Sequence, residues 1–205
     1  MSDIKYLFFD IGSTLIDETD CYKSRIDYAV NSKNLNREEF MVKVYESAKT
    51  SATPIKSACS FYNVELPQWD NSLEKLYSNT KWVLEIMSKK YKLGIIANQS
   101  LGTKERLDNW GIGKYFDIVV ASAEADCSKP DLKIFNLALE QAVCKPNEAV
   151  MIGDRLDNDV VPAKQLGMKT VWVRQGFAKY QNISNETEKP DFIIDSIGDI
   201  LDILT

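Results

Sequence analysis

Hydrophobic positions fall into two regimes along the chain. Near the start, Tyr6-Leu-Phe-Phe-Asp10 is a short aromatic and aliphatic run with little alternation, the pattern of a strand buried on both faces. The run, residues 4–10, stops at Asp10 and breaks into Ile-Gly-Ser-Thr14-Leu15, followed by the acidic pair Asp17 and Glu18. From about residue 19 to residue 91 the period is helical. Phe40, Val44, Tyr45 and Ala48 recur at helical spacing, as do Leu73, Leu76, Tyr77, Leu84 and Met87, and no strand-like run interrupts them. Pro54 suits a helix start, and Leu66-Pro67 marks a break.

Beyond residue 91 the two periods alternate. Strands are predicted at Leu93–Ala97, Asp117–Ala121, Ala149–Gly153, Lys169–Val173 and Asp191–Ile194. Helices are predicted at about 102–110, from Pro130 as a first helical residue, at about 158–166 and at 196–204, with 174–190 as loop. Such alternation argues for a parallel sheet with crossover helices. The first strand belongs to that sheet, because a lone strand leaves its backbone groups unpaired. The fold class is therefore α/β, a Rossmann-like parallel-sheet core from residues 1–16 and 92–205. A helical cap is inserted at 17–91, its last helix leading back into the core.

Composition narrows the function. The net charge is −5 and no basic block stands out, which argues against nucleic acid as a partner. No apolar run approaches the roughly 18 residues of a membrane helix, and the first residues lack a signal-peptide layout. Cys21, Cys59, Cys127 and Cys144 form no Cys-x-x-Cys pair and read as buried, reduced thiols, so a cytoplasmic location is expected. The chain has no His, which excludes Ser-His-Asp and Cys-His catalysis and His-based zinc sites. Acid–base and metal work falls to carboxylates, Lys, Tyr or water.

Four polar features lie just past strand ends: Asp10, Asn98, Lys129 and the Asp154-to-Asp159 cluster. In open α/β sheets that edge is where ligands bind. Asp10, Asp154 and Asp159 would repel one another if close, and a bound magnesium ion, hard and oxygen-seeking, would relieve this. Lys129 adds positive charge for an anionic substrate. A carboxylate nucleophile, a cation and a Lys at one edge suit phosphoryl transfer, where positioning and charge stabilisation dominate. Asp17 reads as a turn-stabilising acid, Asp157 as a helix-start residue and Arg155 as a surface ion-pair partner. Tyr22, Tyr45, Phe61 and Trp69 read mostly as cap core.

The motifs Phe9-Asp10-Ile-Gly-Ser-Thr14-Leu15, Ile96-Ala97-Asn98, Ser128-Lys129-Pro130-Asp131 and Gly153-Asp154-Arg-Leu-Asp-Asn-Asp159 resemble, in order and separation, those of the haloacid dehalogenase-like hydrolase superfamily. The likeness is to its helical-cap, C1-type phosphatase-like subgroup. The resemblance implies that Asp10 is a nucleophile forming an aspartyl-phosphate. It implies that Lys129 holds that nucleophile and the phosphoryl oxygens. It further implies that Asp10, the Gly12 backbone carbonyl, Asp154 and Asp159 hold Mg2+. Asn98, Ser13 and Ser100, with Lys129, are the expected phosphate contacts. Two positions depart from the family pattern. Gly12 stands where family phosphatases carry a second Asp as general acid and base, and Ala97 stands where Ser or Thr meets the phosphate. A lost general acid costs about 10²–10⁴ in rate.

The expected function is a magnesium-dependent hydrolase, a phosphatase of a small phosphorylated metabolite with weakened acid–base catalysis. Two alternatives stand beside it. One is a non-catalytic phosphometabolite-binding or regulatory protein on the same fold. The other is a dehalogenase or phosphonatase-like hydrolase, whose Schiff-base Lys would come from Lys23, Lys33, Lys43, Lys49 or Lys56.

Overall fold

The computed structural model describes residues 3–50 and 53–204. The outermost ends of the two expected core segments, and residues 51–52 of the cap, lie outside it. The first strand, β1 (Tyr6–Phe9), leads through a tight turn to a two-residue strand, β2 (Ile16–Asp17). Three helices follow: α1 (Thr19–Ser32), α2 (Arg37–Ala48) and α3 (Pro54–Phe61). The chain returns through β3 (Lys75–Leu76) and α4 (Thr80–Met87). It then alternates through β4 (Lys92–Ala97), α5 (Thr103–Asn109), β5 (Ile118–Ala121), the short α6 (Ser122–Ala125) and α7 (Leu132–Ala142). The last elements are β6 (Ala149–Gly153), α8 (Val161–Leu166), β7 (Lys169–Val173), β8 (Phe192–Ile194) and α9 (Ile200–Leu204).

Six strands form one parallel sheet in the order β5-β4-β1-β6-β7-β8. Its two faces explain the unbroken apolar runs. Leu7 and Phe9 point into a cluster with Val83, Leu84 and Met87 of α4 and Ile200 and Leu204 of α9. Phe8 points the other way, to Ile134, Phe135, Ala138 and Leu139 of α7. With helices on both faces, most positions of the central strands are shielded from water, while Lys92, Lys169 and Ile193 stay exposed. The order also reverses at β1: the chain first builds outward through β4 and β5, then crosses to β6, β7 and β8. Such a switch point opens a crevice beyond the strand carboxyl ends, here directly after Phe9.

Helices α1 to α3 have a cluster of their own, Ile26, Ala29, Phe40, Val44, Ile55, Ala58, Cys59 and Val64. Two strands link this unit to the sheet: β2 and β3 pair antiparallel, Ile16 opposite Leu76 and Asp17 opposite Lys75. That pairing corrects the helical reading of Leu73, Leu76 and Tyr77, which lie in a 3-10 turn at Asn71–Leu73, in β3 and just after it. Pro130 is also placed differently. It lies within a turn closed by Asp131 N–H on Ser128 O (2.9 Å), and Asp131, not Pro130, caps α7 by accepting from the Lys133 N–H. Tyr45 and Phe61 are exposed rather than core. Cys21 and Cys59 are buried, Cys127 and Cys144 half-buried, and all four are free thiols.

Candidate active site

Strand ends bring the site together. Asp10 follows β1, and its backbone N–H donates to Ile152 O on β6 at 2.9 Å. Lys129, in the turn before α7, lies between two carboxylates. Its Nζ donates to Asp10 Oδ1 at 2.7 Å and to Asp159 Oδ1 at 2.6 Å, and all three side chains are buried. The second Asp159 oxygen accepts the Arg155 N–H at 3.0 Å. Asp159 reaches back this far because the chain after β6 winds one π-helical turn, Leu156–Val160, before α8. Gly153 leaves room for it: a Cβ there would stand 2.3 Å from Asp159 Cγ. Trp172 Nε1 on β7 donates to Asp154 O at 2.6 Å and fixes the start of the turn.

Carboxylate oxygens of Asp10, Asp154 and Asp159 all lie within 4.8 Å of one another. One buried ammonium thus faces three buried carboxyl groups. Burial, then Asp10 and Asp159, push the Asp154 carboxyl well above the usual carboxylate range. Burial also pushes Asp159 up, against the opposing pull of Lys129. For Lys129, burial acts downward, yet Asp10 and Asp159 outweigh it and its pKa ends above the ordinary value. A hard divalent cation fits this donor set, since clustered carboxylate oxygens with excess negative charge are what magnesium prefers.

Other expected contacts fall in different places. Asn98 follows β4, but both ends of its amide are taken up by the Lys129 backbone: Nδ2 donates to Lys129 O at 2.9 Å, and Oδ1 accepts the Lys129 N–H at 2.8 Å. Asn98 therefore holds Lys129 in place and also lines the cavity, with a second amide N–H beyond the one given to Lys129 O. Ser100 lines the cavity and accepts from Arg106 Nη1 at 2.8 Å. Ser13 does not line it; the residue is 2% exposed and its hydroxyl donates to Glu18 Oε2 at 2.7 Å. Asp17 accepts the Thr19 N–H at 2.9 Å and so steadies the turn into α1. Asp157 pairs with Arg155 and accepts from Gln181 Nε2 at 2.9 Å.

The site opens into a cavity of about 600 Å³ between the sheet edge and the helical unit. Asp10, Gly12, Asn98, Lys129 and Asp154 line one side; Tyr22, Arg25, Lys56, Leu66, Trp69 and Glu74 line the other. Among the five lysines weighed as Schiff-base candidates, Lys56 alone reaches it. The Arg25 guanidinium lies 4.7 Å from the centre of the Trp69 ring, and its Nε is buried with no hydrogen-bond partner. Glu18, like Arg25, Glu74 and Arg106, is a lining residue to which the sequence pattern assigned no site role. Its Oε2 accepts from the Tyr22 and Ser13 hydroxyls, each at 2.7 Å, and burial pushes its carboxyl up to about 7 against those two bonds. The signal available was a Glu four residues before a Tyr at a helix start, where the two share a face.

The sequence profile of the haloacid dehalogenase-like hydrolase family matches residues 6–173, and the chain belongs to that family. It is 34% identical over 147 residues to the glyceraldehyde 3-phosphate phosphatase of Methanocaldococcus jannaschii, covering 71% of this chain and 61% of that protein. It thus spans less than two thirds of that relative's length. The Pyrococcus furiosus protein of the same name is 28% identical over 100% of this chain and 94% of its own. The pyrophosphatase PpaX of Bacillus mycoides is 27% identical, over 98% of this chain and 97% of its own. Among solved structures, a phosphatase of the family from Thermococcus onnurineus superposes with a TM-score of 0.67 at 25% identity, covering 98% of both chains. The magnesium-bound hydrolase YfnB of Bacillus subtilis shares the fold, with a TM-score of 0.71 at 17% identity, over 98% of this chain and 99% of its own. No helix among the described residues is long and apolar enough to cross a membrane.

Proposed function

We propose that this hydrolase is a magnesium-dependent phosphatase of a small phosphorylated metabolite, working through an aspartyl-phosphate on Asp10. The observation that carries the proposal is Lys129 Nζ, within 2.7 Å of both Asp10 and Asp159 in the acidic cluster. That contact anchors Asp10 Oδ1 and leaves Oδ2 to attack phosphorus. Lys129 then offers its charge to the phosphoryl oxygens as they approach, the electrostatic contribution that phosphoryl transfer depends on. Asp10, Asp154, Asp159 and the Gly12 carbonyl would hold Mg2+, which when bound withdraws charge from the phosphoryl oxygens. Asn98 keeps the Lys129 backbone in register with β4.

Residues 17–91 act as the cap in this reading. Helices α1 to α3 supply the wall over Asp10, while α4 packs into the sheet and returns the chain to the core. Arg25, Lys56 and Arg106 on the cavity wall favour an anionic ligand, and the named activities of the relatives suggest a sugar or triose phosphate or pyrophosphate. The free thiols fit a reducing, cytoplasmic setting. A phosphate-release screen over phosphorylated metabolites in Mg2+ tests the reading, with Asp10→Asn as the blank. Magnesium-dependent release that the variant abolishes is the expected result. Tight metabolite binding without turnover, unchanged by Asp10→Asn, would instead support a binding protein on the same fold.

A further inference from the structure

Moving a phosphoryl group from an alkyl ester to Asp10 leaves an alkoxide, and hydrolysing the resulting acyl phosphate needs a deprotonated water. Both steps call for a positioned proton carrier. The chain has no His. Among the described residues, the carboxyl groups lining the cavity are Asp10, Glu18, Glu74 and Asp154. Asp10 is the nucleophile and Asp154 belongs to the acidic cluster. Glu74 accepts from Trp69 Nε1 at 2.7 Å, within the helical unit. Glu18 is left, and the geometry around it is specific.

Glu18 ends the first link between the sheet and the helical unit, directly before α1. Its side chain does not cap α1; it turns back toward the sheet. The Tyr22 and Ser13 hydroxyls both donate to Oε2. With Oε2 doubly engaged, the proton of the acid form belongs on Oε1. That oxygen lies over Gly12, 2.7 Å from where a Cβ would stand. A side chain at position 12 would require the Glu18 carboxyl group to move.

We propose that Glu18 is the acid–base catalyst of this hydrolase, acting through Oε1 from the space above Gly12. The assignment rests on the phosphatase reading. As Asp10 Oδ2 bonds to phosphorus, the bond from phosphorus to the ester oxygen breaks. That oxygen keeps the electron pair and takes the Oε1 proton, leaving as an alcohol. The Glu18 carboxylate then removes a proton from water as the water oxygen bonds to phosphorus. The phosphorus–Asp10 bond breaks with its electron pair returning to Asp10, and inorganic phosphate leaves with Glu18 protonated again.

Leaving groups that need no proton give the test. In Mg2+, the wild type, Glu18→Gln and Asp10→Asn are assayed on an alkyl phosphate and on p-nitrophenyl phosphate. Glu18→Gln is expected to slow alkyl ester turnover by about 10²–10⁴-fold. The nitrophenolate burst is expected to slow by less than about tenfold, and phosphorylated Asp10 should accumulate in the intact mass. Equal losses in alkyl ester turnover and in the nitrophenolate burst, or no loss in either, overturn the assignment. A second comparison stands apart from the fold of that variant. Gly12→Asp alone is expected to lose activity by collision with Glu18, whereas Gly12→Asp combined with Glu18→Ala regains alkyl ester turnover over Glu18→Ala alone. Absence of that recovery overturns the assignment too. Wild-type protein that releases no phosphate from either ester overturns both this assignment and the phosphatase reading, while wild-type turnover with Glu18→Gln slowing alkyl ester turnover and the nitrophenolate burst alike overturns the Glu18 assignment alone.

Discussion

At the scale of single residues, Lys129 decides the charge balance. It is 4% exposed and is the ammonium shared by Asp10 and Asp159. Removing one partner of a buried pair leaves uncompensated charge and costs about 3–5 kcal/mol. Lys129→Met is expected to lose about that much stability without metal and to release no phosphate. A urea unfolding curve that overlays the wild type's would contradict this. Glu18 carries a different expectation, one with a pH sign. Burial lifts its carboxyl from 4.5 to about 7, so the folded chain keeps a proton that the unfolded chain has lost. The resulting stabilisation is complete below about 4.5 and disappears as pH rises through about 7. A shift of that size is worth about 3 kcal/mol. Glu18→Gln mimics the protonated form and has no such dependence. The variant should therefore gain stability relative to the wild type as pH rises from about 5 to 8, measured by urea unfolding in chelator. A difference that stays flat across that range would mean the carboxyl is not buried in solution.

At the scale of elements, the π-helical turn after β6 is the part most sensitive to a small change. Gly153→Ala places a methyl group on Asp159, and overpacking of this kind costs about 1–3 kcal/mol. The larger effect should be on turnover, because Asp159 would be pushed off Lys129. Phosphate release at the wild-type rate by Gly153→Ala would show that the turn can yield. Most elements of the core were legible in the sequence. Strands buried on both faces must be unbroken apolar runs, and each of these runs ended at the polar residue that the fold places on the sheet edge. The β2–β3 pair was not legible. Leu73, Leu76 and Tyr77 have helical spacing, and only the distant partner Ile16–Asp17 makes Lys75–Leu76 a strand. Pairing between distant segments leaves no local period to read. The π-helical turn was likewise invisible, although the acids it carries stood out.

At the scale of the whole molecule, the acidic cluster was legible because Asp10 and Asp154 each follow an apolar run, Asp159 stands five residues beyond Asp154, and the sheet gathers those ends at one edge. The Asn98 and Ser13 roles were not, because hydrogen-bond partners depend on how loops close. Asn98 meets the Lys129 backbone across the β4–β5 side of the sheet, and Ser13 meets a Glu that doubles back from α1. The assembled edge holds three carboxyl groups and one buried Lys, a charge imbalance that no single element creates. A cation that binds only the folded chain stabilises it by about 2.7 kcal/mol at 100 times its dissociation constant. For a chain of this size each kcal/mol raises Tm by roughly 2–4 °C, so saturating Mg2+ is expected to raise the wild-type Tm by roughly 5–10 °C over chelator. Asp154→Asn should remove most of that rise. Its metal-free Tm should equal or exceed the wild type's, because one of the mutually repelling carboxyl groups is gone. Those two effects of one substitution, a lost response to metal and an undiminished metal-free fold, separate a cation site from a merely structural acid. A wild-type Tm indifferent to Mg2+ would rule the cation out and leave Lys129 to face the acidic cluster alone.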